Sequence, residues 1–78
     1  MANVKRNQIR RTSDGDYCMV LYINRRIDSE NDSCIILFED GTLRKELSKV
    51  VDSYTLISDP DIEPHKCDLF LKEVFENL

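Results

Sequence analysis

Five consecutive apolar residues, Cys34, Ile35, Ile36, Leu37 and Phe38, sit near the middle of a chain of 78. The run is short and rich in β-branched and aromatic side chains, so it reads as a strand. Successive strand side chains point to opposite faces. Cys34, Ile36 and Phe38 therefore face one way, and Ile35 and Leu37 the other. A strand with one wet face alternates polar and apolar residues. This one has no wet face, so the fold must cover it on both sides.

Residues 17–23 (Tyr-Cys-Met-Val-Leu-Tyr-Ile) form a second strand of the same character. Counted by twos, Tyr17 and Tyr22 fall on its opposite faces. Ser13, Asp14, Gly15 and Asp16 supply turn chemistry before it, with Gly15 free to take positive φ. The strand is expected to run on as a polar ribbon through Asn24, Arg25 and Arg26 into a polar loop over 28–32. Asp40-Gly41 after the central strand is a strong hairpin signal, which returns the chain over 42–47. A tight helical turn begun by Ser48 and a short strand over 54–57 follow. Residues 4–12 make a weaker first strand, with only Val4 and Ile9 apolar. Five short strands joined by tight turns predict a mainly all-β chain, a small antiparallel barrel whose closure removes exposed edges.

Pro60 and Pro64 among acidic residues mark a connector. Beyond it Cys67, Phe70, Leu71, Val74, Phe75 and Leu78 recur at helical spacing, the stripe of an amphipathic helix with Pro64 at its start. An isolated helix this short is marginal in water, so its stripe needs burial. The expected organisation is a barrel over 1–58, then a connector and helix over 59–78. The helix packs on the outside of the sheet or on a partner, and Phe70, Leu71, Val74 and Phe75 are the face for a partner or a second copy.

Composition narrows the function. Hydrophobic residues at 41% and charged residues at 33% fit a folded domain. No apolar run approaches membrane-spanning length, and the basic N-terminus lacks the apolar core of a signal peptide. Three scattered cysteines, Cys18, Cys34 and Cys67, make a poor disulfide framework and suggest a reducing intracellular compartment. They include no Cys-x-x-Cys pair, so no zinc site is expected with His65, the one histidine. No cofactor, phosphate-loop or nucleophile motif appears, and the reading is non-enzymatic. Charge is uneven. Residues 1–30 hold six bases against four acids, and residues 31–78 five against eleven. Arg10, Arg11, Arg25 and Arg26 are thus candidates for a basic rim that contacts nucleic acid or an acidic partner.

Residues Ser13-Asp14-Gly15-Asp16-Tyr17, Ser33-Cys34-Ile35-Ile36-Leu37-Phe38-Glu39-Asp40-Gly41-Thr42, Glu46-Leu47 and Val50-Val51 together resemble a Tudor domain. The nearest likeness is to the Tudor domains of Polycomb-like PHD-finger proteins and of the lamin B receptor. It covers about residues 4–57. The resemblance implies an SH3-like barrel of five strands that reads methylated lysine or arginine, with the methylammonium over aromatic faces. It assigns Phe38 to a cage aromatic, Asp40 to the acid beside it and Tyr17 to a second aromatic. Other cage positions fall on Arg10 or Arg11, Cys18 and Arg44, so the cage is degenerate. The function implied is a non-catalytic protein-interaction module, a reader of methylated histone tails or a protein-binding Tudor, placed in nuclear chromatin. Two alternatives stand beside it: a nucleic-acid-binding barrel that uses the basic rim, and a small viral or phage adaptor or inhibitor of a host protein that works as a homodimer.

Overall fold

The computed structural model describes residues 3–78, so the first two residues of the expected unit 1–58 lie outside it. The elements are β1 (Ile9–Arg11), β2 (Tyr17–Asn24), a 3₁₀ turn (Ser29–Asn31), β3 (Ser33–Phe38), β4 (Leu43–Leu47), α1 (Ser48–Asp52), β5 (Thr55–Ser58) and α2 (His65–Asn77). The strands form one antiparallel sheet in the order β4-β3-β2-β1-β5. The chain is a small, β-rich fold with a C-terminal helix. Among the described residues no pairing joins the outer strands β4 and β5; α1 links them along the chain.

The two-faced strands divide the core in two. On the inner face Cys18, Val20, Cys34, Ile36 and Phe38 pack with Val4 and with Val51 of α1. On the outer face Ile9, Met19 and Leu37 pack under Phe70 and Val74 of α2. Each fully buried large apolar side chain stabilises by roughly 1.5–3 kcal/mol. The helix thus covers one of the two core layers.

Three local readings change. The first strand is confined to Ile9–Arg11, because Asn7 takes a left-handed conformation (φ 69°) that breaks an extended run. Asparagine tolerates that region better than most residues. The ribbon after β2 stops at Asn24, where the chain turns and the Arg26 N–H donates to Asp32 Oδ1 at 2.6 Å. Finally, the β2–β3 register shifts between Val20 and Tyr22. This bulge inserts one residue and reverses the phase. Tyr22 then pairs with outward-facing Ile35, and Ile23 pairs with inward-facing Cys34. Tyr17 and Tyr22 therefore share the outer face.

Candidate functional site

Two turns meet at one end of the sheet. In the β1–β2 turn, Gly15 sits at φ 92°. Its N–H donates to the Thr12 carbonyl (3.0 Å), and Thr12 N–H donates to the Asp16 carbonyl (2.8 Å). In the β3–β4 hairpin, Gly41 sits at φ 90°. Phe38 N–H donates to the Thr42 carbonyl (2.9 Å), and Thr42 N–H to Asp40 Oδ1 (2.9 Å). Because β2 and β3 are neighbours, with Cys18 opposite Phe38, the turns stand side by side. Between them lies a cleft of about 480 Å³ lined by Gly15, Asp16, Tyr17, Phe38, Glu39, Asp40, Thr42 and Arg44.

Tyr17, Phe38 and Asp40 are brought together here. Their roles differ from three open cage walls. Phe38 is 8% exposed and belongs to the inner core. The guanidinium of Arg44 lies 4.8 Å from its ring centroid. Arg44 reaches the ring because the Asp-Gly hairpin sets it opposite Ile36, diagonal to Phe38 on the same face. That diagonal is readable from the hairpin once its register is known, and it makes Arg44 a site residue. Asp40 is exposed, and the Thr42 hydrogen bonds hold its carboxyl below the usual range. Burial pushes the Glu39 carboxyl up, helped by the charges of Glu73 and Asp16. Three carboxylates thus line the same cleft as one aromatic ring that already carries a cation. This arrangement holds positive charge by attraction and cation–π contact.

The four arginines do not form one rim. Arg10 is 4% exposed. Its guanidinium donates to Gln8 Oε1 and to the carbonyls of Asn3, Val51, Asp52 and Tyr54 over 3.1–3.4 Å. The expectation of a surface contact at Arg10 is corrected: the side chain ties the N-terminal segment, β1 and α1 together. Arg11 is exposed at the end of β1 opposite Tyr17. Arg25 and Arg26 are exposed beyond the far end of β2, a strand roughly 25 Å long.

The helix face also splits. Phe70 and Val74 are buried against the sheet, while Leu71 and Phe75 are 42% and 77% exposed. Steps of 100° per residue turn Leu71 and Phe75 away from the line through Phe70 and Val74. Those two buried residues are core and not a free docking face. Cys18 and Cys34 are buried among apolar side chains, and Cys67 donates to the Asn7 carbonyl from the start of α2. No helix among the described residues is long and apolar enough to cross a membrane.

No family model, curated protein or solved structure matches the chain.

Proposed function

We propose that this chain is a non-catalytic interaction module of Tudor type, its sheet curled into a partly open SH3-like barrel, that binds a cationic side chain of a protein partner in the cleft between the two turns. The observation that supports this reading is Phe38 with a guanidinium on its ring, set among Asp16, Glu39 and Asp40. The ligand cation takes the place of Arg44, or lies beside it, and the carboxylates balance its charge. A methylated lysine in a histone tail fits this chemistry, and with it a setting in chromatin. The phosphate-backbone alternative loses its support because Arg10 is buried and Arg11 is remote from Arg25 and Arg26.

The test is titration of fluorescent peptides that differ at one central residue: lysine, trimethyl-lysine, arginine or acetyl-lysine. Cationic peptides should bind and the acetylated one should not. Asp40→Asn should weaken binding, and Arg44→Ala should strengthen it by uncovering Phe38. If no cationic peptide binds either the native chain or Arg44→Ala, the proposal fails.

A further inference from the structure

Among the described residues, the strand order leaves β4 at an open edge. Two hydrogen bonds fix which of its backbone groups face outward. Phe38 N–H donates to the Thr42 carbonyl at one end, and Ser48 N–H donates to the Asp32 carbonyl at the other. Both share one antiparallel phase with the pairs Ile36↔Arg44 and Cys34↔Glu46. Positions 42, 44, 46 and 48 therefore turn their backbone groups toward β3, and Leu43, Lys45 and Leu47 turn theirs outward. The Leu47 carbonyl opens α1 as its N-cap, but its N–H remains on the edge.

The edge reads Leu43-Arg44-Lys45-Glu46-Leu47. About Lys45 it is its own complement. A two-fold axis through Lys45, perpendicular to the sheet, sets Leu43 opposite Leu47 of a second copy and Arg44 opposite its Glu46. The same axis pairs outward backbone groups with outward ones. Lys45 exchanges two reciprocal N–H···O=C bonds with its counterpart, and on either side a Leu47 N–H donates to the facing Leu43 carbonyl. Outer face continues into outer face. Leu43 (60% exposed) and Leu47 (38%) then meet their counterparts beside exposed Ile35 and Tyr22. Arg44 already lies over the Phe38 ring and presents its charge on the side of the facing glutamate. The opposite edge, Thr-Leu-Ile-Ser of β5, carries no charge to match.

We infer that β4 is a self-complementary edge through which two copies of this chain join into one continuous antiparallel sheet. Lys45 facing Lys45 is the one unfavourable pair; its long stems let the charged heads splay into water. A five-residue edge is at the small end of protein interfaces, so the dimer is weak and forms with rising concentration.

Sedimentation equilibrium of the full chain, from roughly 10 μM to 1 mM, tests this, with circular dichroism and thermal melting to show that each variant is folded. The native chain should show a monomer–dimer equilibrium. Arg44→Glu and Glu46→Arg should each weaken it about tenfold or more, and the double variant should recover most of the loss. A mixture of the two single variants should form a heterodimer tighter than either homodimer, and Lys45→Thr should tighten association. A chain that stays monomeric throughout overturns the inference. So does a dimer indifferent to these charge reversals, which would point to the exposed helix flank at Leu71 and Phe75, or a folded double variant that fails to recover.

Discussion

Replacing Arg10 with methionine keeps most of the stem volume and removes the guanidinium. The head group serves five acceptors: Gln8 Oε1 and the carbonyls of Asn3, Val51, Asp52 and Tyr54. Gln8 Oε1 keeps the Lys5 N–H at 3.0 Å, so it is not orphaned. The Asp52 carboxylate is 3.9 Å away and 37% exposed, so water replaces most of that attraction. The main loss is at the carbonyls, each with a net hydrogen-bond contribution of about 1 kcal/mol. The four together give about 4 kcal/mol, in line with the roughly 3–5 kcal/mol cost of breaking one side of a buried ionic site. A domain of this size has a total stability of about 4–12 kcal/mol, so Arg10→Met should lower Tm by about 15–30 °C. Equilibrium urea unfolding should show a lower midpoint at unchanged slope. Arg11→Met, at an exposed position, should cost less than about 0.5 kcal/mol. If Arg10→Met unfolds within about 0.5 kcal/mol of the native chain, the staple described here is wrong, and Arg10 returns to the list of surface charges.

Three further outcomes follow from the packing. Phe70→Ala should cost about 3–5 kcal/mol by emptying the outer core, while Phe75→Ala, at 77% exposure, should cost little; calorimetry separates them. Gly15→Ala and Gly41→Ala both force a side chain into positive φ, at about 1–2 kcal/mol each. Gly41→Ala also places its Cβ 2.5 Å from Leu78 Cδ2. Because the clash is with the exposed Leu78 side chain and not with backbone, the extra cost should vanish in a Leu78→Ala background. Burial holds the Cys18 thiol up at about 11, from an ordinary 9.0. The folded state therefore keeps its proton more tightly than the unfolded state does, and that stability is complete below pH 9 and lost as pH rises through 11. Denaturation midpoints should fall across this window, and less steeply in Cys18→Val; equal slopes would contradict the assignment.

The features readable in the sequence were those set by short-range chemistry. The apolar run at 34–38, the Asp40-Gly41 turn and the stripe from Cys67 to Leu78 each contain their own reason to fold as they do. The demand for cover on both faces of β3 follows from the same run, and α2 supplies the outer cover. What escaped depends on long-range geometry. Arg10 of β1 and the flanking Gln8 and Thr12 are all buried and all polar. No hydrophobic pattern reveals a strand whose inner face is satisfied by carbonyls from residues 51–54. The bulge at Leu21 leaves no mark either, since every residue from Cys18 to Ile23 is apolar or aromatic and either phase looks equally good. At the cleft, Tyr17, Phe38 and Asp40 were grouped only through the resemblance to a Tudor domain, and the ring's occupant follows only from the β3–β4 register.

Strand β2 feeds both hydrophobic layers, with Cys18 and Val20 on one side and Met19 on the other. The two layers thus hang from a single ribbon of backbone. A repacking that pushes this ribbon from beneath must lift the residues above it. Val51 and Phe70 belong to separate clusters, yet their substitutions should be non-additive, because both act through the same few peptide units. Evolution of one layer is therefore constrained by the other, and compensating changes should arise across the sheet as well as within each layer.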